Sequence, residues 1–396
     1  MVIVNAASDW ASSGLAYLTG PTDGTPDFSC AAVLAEARRV STDIAVLLGV
    51  EVDAAAMLAG RAAILGLTRR GRISAGGATR LLPTTDGWCA LALPRADDVA
   101  ALPALMELDT VTGDPWTVLS RWAATHCTDK VVDRARLLDI AAATLGEAAA
   151  EPPAVRPCGT SAEPRRADGL LVADLSSLWA GPLCGQLLAR SGAVVVKVES
   201  PTRPDGTRRG ERAFFDWMNA GKLSYCVDFD DERGALHRLL DAADIVIEGS
   251  RPAALRRRGL SAEDLAGRAG RIWLRISGYR DQPDRPAFGD DAAVAGGLVG
   301  GGADGPVFCG DAIADPLTGL EAARAVGESL RRGGGEVVEV SMAQVAARYA
   351  GLTQSADCDA PAKSPTLPPA VAPASPLGAD NAAVELLVSE RLCAPC

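Results

Sequence analysis

The chain has 396 residues, 48% of them apolar but only 4% aromatic, and a net charge of -11. That length buries a sizeable core and suits two domains, with Ala, Leu and Val as the main packing residues. The acidic balance argues against nucleic acid as a partner, no run reaches the ~18–20 apolar residues of a membrane-spanning helix, and ten cysteines in such a length are not a disulfide framework.

In chain order, Met1-Val-Ile-Val-Asn5 lacks a basic start and Asp9 soon interrupts it, so no secretory leader is expected and the thiols are expected reduced in a cytoplasmic protein. The prolines between Glu147 and Glu163 read as a join. Beyond it, Leu170–Leu175, Val194–Val198, Tyr225–Asp228, Ile245–Glu248 and Ile272–Ile276 are short apolar runs rich in β-branched residues. Helical stretches such as Gly185–Arg190 and Glu232–Ala242 separate them. That alternation predicts an α/β fold with a Rossmann-like parallel sheet covered by helices on both faces. Ligands bind such sheets at the carboxyl ends of the strands, an edge occupied here by Ser176–Gly181 and Glu248–Pro252.

The run Gly296–Gly305 reads as a source of backbone N–H donors, as a flexible cover, or as a plain connection. It lacks the preceding strand and the spacing of a dinucleotide fingerprint. In Phe308–Leu320 a loop turns into a helix at Asp315-Pro-Leu-Thr-Gly-Leu320. Asp is a preferred N-cap, Pro316 suits the first helical position, and Leu317, Leu320 and Ala323 begin an apolar stripe. A carboxylate there is a cap or a nucleophile, and Asp311 is its local rival. Pro361–Pro376 is a Pro/Ala-rich linker. Cys393 and Cys396 form a lone C-x-x-C without the context of a metal or redox site. The two histidines, His126 and His237, fall in helical surroundings that favour structural roles over catalysis or a metal site, and none is expected.

Six segments in order carry a resemblance: Leu171–Ala189 with its Ala180-Gly-Pro182 turn, Gly192–Pro201, Phe215–Ser224, Ala243–Pro252, Arg275–Tyr279 and Glu339–Met342. Together they resemble the class III CoA-transferase family, which includes the formyl-CoA, carnitine and bile-acid CoA-transferases. The resemblance implies that family's fold, a large Rossmann-like domain plus a smaller α+β domain, and its substrates, an acyl-CoA and a carboxylic acid, in an interlocked homodimer. It makes Asp315 the nucleophile, carried through an aspartyl covalent intermediate. An Asp with a reference pKa near ~3.9 is ionised at neutral pH and needs no partner base, and a helix N-terminus would keep it charged.

For CoA, the resemblance points to Leu178, Trp179 and Ala180 in the turn, Lys197 and Ser200 by the second strand, Asn219 and Lys222, and Arg251. Pro182 would leave first-turn N–H groups free for a pyrophosphate. Cys184 and Cys309 near this site read as packing residues. Racemisation is disfavoured, because Gly289 stands near the place where the racemase branch has a His.

The organisation departs from the family. Arg80–Leu93 resembles the strand that opens the family's small domain, with Asp97–Leu105 and the helix around Val131–Leu145 to complete it, and Trp10–Gly20 resembles the stretch that precedes the family's catalytic Asp. Residues 1–150 therefore read as a shortened family-like copy containing the small domain, and no second nucleophile motif follows Gly20. After it come a linker at 151–168, a CoA-binding and catalytic large domain at 169–350, a linker at 351–376, and a helix at 377–396 that returns to the large domain. The alternatives are a non-catalytic CoA-binding partner subunit, in which Asp315 only caps its helix, and an acyl-CoA racemase or dehydratase.

Overall fold

The β-branched runs become strands because their side chains fit a pleated surface buried on both sides. The structure, a computed structural model, describes residues 2–265, 267–302, 305–352 and 360–393. A small antiparallel sheet holds β1 (Thr79–Pro83), β2 (Trp88–Ala92) and β3 (Ala142–Thr144). The large sheet is built from β4 (Ala154–Pro157), β5 (Leu171–Asp174), β6 (Val194–Glu199), β7 (Leu223–Cys226), β8 (Ile245–Glu248) and β9 (Ile272–Ser277). A two-stranded hairpin, β10 (Val299–Gly302) and β11 (Gly305–Phe308), precedes the last large-sheet strand, β12 (Glu336–Ser341). The order across the large sheet is β4-β12-β9-β8-β5-β6-β7. All neighbours are parallel except β4.

That exception falls inside a segment expected to be linker. Ala154–Pro157 pairs antiparallel with β12 at the edge, where its flanking prolines cost no ladder hydrogen bond that a central strand would need. Arg156 points to Glu263 and Glu339.

Alternate residues along the central strands face different cores. Ile272, Leu274 and Ile276 of β9 pack with Val338 and Val340 of β12 on one side, against the helix Ala314–Arg332. Trp273 and Val337 face the other side, with Leu236, Leu240 and Val384. At ~1.5–3 kcal/mol for each fully buried large apolar side chain, these two layers hold the sheet between its helices.

Residues 1–150 divide between two cores. Trp10, Leu34, Ile44 and Leu58, from the helices up to Leu65, join the core around Ala314–Arg332. Residues 79–144 close a core of their own around Leu91, Leu105, Leu119 and Val131. The described part of the Pro/Ala-rich stretch has no helix or strand, yet it is tied down: Lys363 N–H donates to Ala11 O at 2.9 Å, and Ala374 N–H to Asp216 Oδ1 at 2.9 Å. The final helix, Asn381–Cys393, returns to the edge of the large sheet. Ser224 N–H donates to Asp380 Oδ2 at 2.7 Å and Cys226 N–H to Asn381 Oδ1 at 2.9 Å, and Val384 and Val388 are buried. Of the C-x-x-C, Cys396 lies outside the described residues. Among the described residues no helix is long and apolar enough to cross a membrane.

Candidate active site

The turn after β5 is shaped from beneath by two buried ion pairs. Lys222 Nζ, its side chain 1% exposed, reaches Asp174 Oδ2 at 2.9 Å, Pro182 O at 2.9 Å and Asn219 Oδ1 at 3.2 Å. Asp174 in turn accepts from Ser176 N–H at 3.1 Å and from the Ser176 hydroxyl. Lys197 Nζ pairs with Asp205 Oδ2 at 2.7 Å and donates to Ser176 O, and Asp205 accepts Leu178 N–H at 3.2 Å. Burial disfavours both charges of the first pair, but Lys222 and Lys197 more than offset it at Asp174, whose carboxyl is held below the ordinary range. A Cβ at Gly185 would stand 2.7 Å from Asp174 Oδ2 and 3.0 Å from Lys222 Nζ, so glycine is what lets the helix Ala180–Arg190 close over the pair.

Leu178 sits at the crown of this turn with φ 72, a left-handed conformation rare outside glycine, and is 38% exposed. Trp179 and Ala180, the next two residues, are buried. Asn219 is buried as well, its Nδ2 donating to Phe215 O at 3.0 Å. The Ser200 hydroxyl meets that of Thr202 at 2.9 Å and its carbonyl accepts Arg203 N–H at 3.2 Å, and Arg251 is exposed and paired with Asp139 at 2.6 Å. Apart from the buried Trp179 and Ala180, the residues expected around CoA fall into two groups. Lys197, Asn219 and Lys222 lie under the turn with their polar atoms engaged, while Leu178, Ser200 and Arg251 lie at the surface.

A second cluster forms where four pieces of chain meet. The helix Ala314–Arg332 begins one residue before Asp315 and has no side-chain cap, so Asp315 stands within its first turn and is not the N-cap. Just ahead of it Ala312 has φ 43, and its N–H donates to Asp290 Oδ1 at 3.0 Å. Thr79 Oγ1 of β1 donates to Asp290 Oδ2 at 3.4 Å. Gly289 brings the helix Gly289–Ala295 against the site: a Cβ there would collide with Asp315 Oδ2 and Ala312 O, and its N–H faces the Asp315 carboxylate. Arg61, from the helix Ala54–Leu65, closes the group. Its Nη1 donates to both oxygens of Asp311 at 2.7 Å, and its guanidinium lies 5.5 Å from the Trp179 ring centre and 5.6 Å from that of Phe214.

Three carboxylates therefore crowd near one guanidinium, and their ionisation departs from the expectation for an isolated Asp. Burial pushes Asp315 up to about 7; Arg61 and the Gly289 N–H oppose the rise, and Asp290 and Asp311 add to it. Burial, then Asp311, pushes Asp290 up to about 6. Asp311 is raised by burial against the pull of Arg61. The sequence-based expectation that Asp315 is fully ionised at neutral pH is thus corrected: desolvation and two neighbouring carboxylates outweigh Arg61 and the Gly289 N–H.

Arg61 and Asp290 were missed by sequence reasoning. Arg61 is 250 positions from Asp311, so no local pattern could link them. Asp290 belongs to the stretch singled out because Gly289 stands where a relative has histidine, and that glycine was the available signal. Cys184 and Cys309 are buried thiols, as expected. Burial raises the first, while a hydrogen bond with Cys30 and then burial raise the second, so neither is a ready thiolate. The glycine-rich run starts at Gly296, the C-cap of the helix Gly289–Ala295, and continues into the β10–β11 hairpin, its residues 303 and 304 outside the described ones. His126 Nδ1 contacts Trp122 O at 2.8 Å and His237 Nδ1 contacts Asp241 at 3.3 Å, both on their own helices or just past them.

Comparison with known proteins bears on this arrangement. Succinyl-CoA--D-citramalate CoA-transferase of Chloroflexus aurantiacus is 33% identical over 199 residues, which are 45% of this chain and 50% of that protein. Succinate--glutarate CoA-transferase of Agrobacterium fabrum is 31% identical over 203 residues, 45% of this chain and 51% of that protein. A solved CaiB/BaiF family protein from Brucella suis, 30% identical, aligns over 46% of this chain and 54% of its own with a TM-score of 0.42. The chain spans about half the length of the curated relatives it matches. The model of CoA-transferase family III matches residues 168–374, just over half of the 396 residues and including every expected site residue from Leu178 to Asp315, and the chain belongs to that family.

Proposed function

We propose that this protein moves CoA from an acyl-CoA donor to a carboxylic acid acceptor, with Asp315 as the covalent carrier. The observation that carries the reading is the placement of the Asp315 carboxyl: in the first turn of a helix, against the Gly289 N–H, and beside the Arg61–Asp311 pair. A half-buried carboxylate facing one backbone N–H and a cation suits a nucleophile better than a cap.

The reaction divides into balanced steps. An Asp315 oxygen attacks the thioester carbonyl, the C–S bond breaks, and CoA leaves as a thiolate, giving a mixed anhydride. The thiolate attacks the Asp315 carbonyl and expels the first acid as a carboxylate, leaving an aspartyl-CoA thioester. The acceptor carboxylate attacks that thioester and again releases the thiolate. The thiolate then takes the acceptor's acyl group and frees Asp315. No net proton is gained or lost. Thr318, one turn along the same helix face, has a buried hydroxyl without a hydrogen-bond partner and is a candidate donor to the oxyanions.

In this reading CoA lies over the turn at Leu178, Trp179 and Ala180, with Ser200 and Arg251 toward its phosphates. Lys197, Asn219 and Lys222 act on CoA through the turn they support. Residues 79–144 are the part that selects the acid, and two chains form a dimer, as the resemblance implies.

The test is to incubate the protein with a panel of acyl-CoAs, add hydroxylamine or borohydride to trap an activated carboxylate, and locate the modified peptide by mass spectrometry. An adduct on Asp315 that is absent from Asp315→Ala supports the transferase. CoA binding without an adduct from any donor favours the partner-subunit reading.

A further inference from the structure

We propose that Arg61, in the part of the chain that the family match does not cover, is a positioning residue of the active site: it anchors Asp311 and sets a cation beside Asp315, favouring the attacking carboxylate over its neutral form. The inference rests on the reading of Asp315 as nucleophile and extends it to the N-terminal segment.

The geometry is specific. One nitrogen, Nη1, spans both Asp311 oxygens at 2.7 Å; Asp311 is 1% exposed and the Arg61 side chain 25%. The guanidinium is fixed from the other side by the rings of Trp179 and Phe214, and Phe214 stacks edge-on against both Trp179 and Trp217. Trp179 is itself the first residue before the helix that carries the expected CoA turn, so the contact couples Arg61 to both halves of the site. The neighbouring Gly60 is equally constrained, because a Cβ there would stand 2.7 Å from the Trp217 ring. Helix Ala54–Leu65 is thereby held in one place and one rotation.

Electrostatics gives the contact a function. Asp290, Asp311 and Asp315 face each other across the site, and like charges brought together out of water favour the neutral form. The effect of Arg61 on Asp315 opposes that of the two aspartates and exceeds that of Asp311. An ion pair that merely fastened the N-terminal helix would need no carboxylate beyond Asp311.

The two halves of the pair make the distinguishing test. Arg61→Gln and Asp311→Asn break the same ion pair, yet they remove opposite charges from the neighbourhood of Asp315. The wild-type chain and both variants are labelled with carbon-13 at the aspartate carboxyls, and the Asp315 resonance, assigned by its loss in Asp315→Asn, is titrated in each. We expect the midpoint to rise in R61Q, fall in D311N, and stay near wild type in R61K. The acid limb of the pH profile for adduct formation should move with it: at a fixed low pH, the rate changes about tenfold for every pH unit by which the midpoint moves. Midpoints that move in the same direction in R61Q and D311N, or an unchanged midpoint in folded R61Q, would overturn the proposal. The titration needs no turnover, so an absent adduct in wild type would count against the transferase reading and leave this one to be decided by the midpoints.

Discussion

The two charge clusters of this molecule differ in their balance. Beneath the turn after β5, two lysines face two aspartates in pairs, Lys222 with Asp174 and Lys197 with Asp205, and backbone carbonyls and hydroxyls satisfy the remaining donors and acceptors. Around Asp315, three carboxylates face one guanidinium, and two of them titrate near neutrality, at about 6 and about 7. Matched charge fixes a shape, and unmatched charge leaves a group poised to change state. The first cluster is therefore read as scaffold and the second as chemistry.

The contrast can be broken most severely at Asp315, the proposed nucleophile. Asp315→Ala should lower CoA transfer by a factor of ~10³ or more, as expected when a covalent carrier is removed, while thermal unfolding stays near wild type. The converse is expected below the turn. Lys222→Ala leaves Asp174 buried and unpaired, and should destabilise the fold by ~3–5 kcal/mol in denaturant unfolding. Equal stability losses at the two positions would erase the distinction.

The pH dependence sharpens it. In the proposed mechanism attack requires the Asp315 anion, whose carboxyl is pushed up to about 7. The rate of adduct formation at saturating donor should rise roughly tenfold per pH unit below that point and level off above it. An Asp with its ordinary value would give a flat profile from about 5 upward.

The smallest effect concerns stability. Asp291 is fully buried, its Oδ1 accepting Phe288 N–H at 2.8 Å and its Oδ2 without a partner, and burial raises it from 3.8 to about 8. A group raised in the folded state binds its proton more tightly there than when unfolded. Its contribution is complete below pH 3.8 and is lost as the pH rises through about 8. Asp291→Asn keeps the Oδ1 acceptor and cannot ionise, so its stability relative to wild type should increase between pH 5 and 8 in parallel denaturant titrations.

Much of the scaffold was legible because it is local. Ile245–Glu248 and Ile272–Ser277 announce themselves as strands through unbroken β-branched and apolar residues, and Asp315-Pro-Leu-Thr-Gly-Leu320 marks a helix start within a residue of its place. The edge strand Ala154–Pro157 was hidden, because a short Pro-rich stretch is what an edge strand and a linker share. The chemistry was half legible. Asp315 stands in a motif, whereas Arg61 and Asp290 acquire their roles through tertiary contacts, and the raised ionisation of Asp315 follows from burial that no spacing of residues encodes. Lys197 and Lys222 were read as cations near CoA; their type and position were visible, but not the aspartates that occupy them.

The most direct measurement follows one oxygen atom. In the proposed cycle, each turnover passes an Asp315 oxygen to the departing acid and replaces it with one from the acceptor. The protein is supplied with an acyl-CoA and an acceptor acid labelled with oxygen-18 in its carboxylate, and the peptide containing Asp315 is examined by mass spectrometry after turnover. Incorporation of oxygen-18 at Asp315 is the result expected here. Formation of the new acyl-CoA with no label in that carboxyl would contradict the covalent role of Asp315.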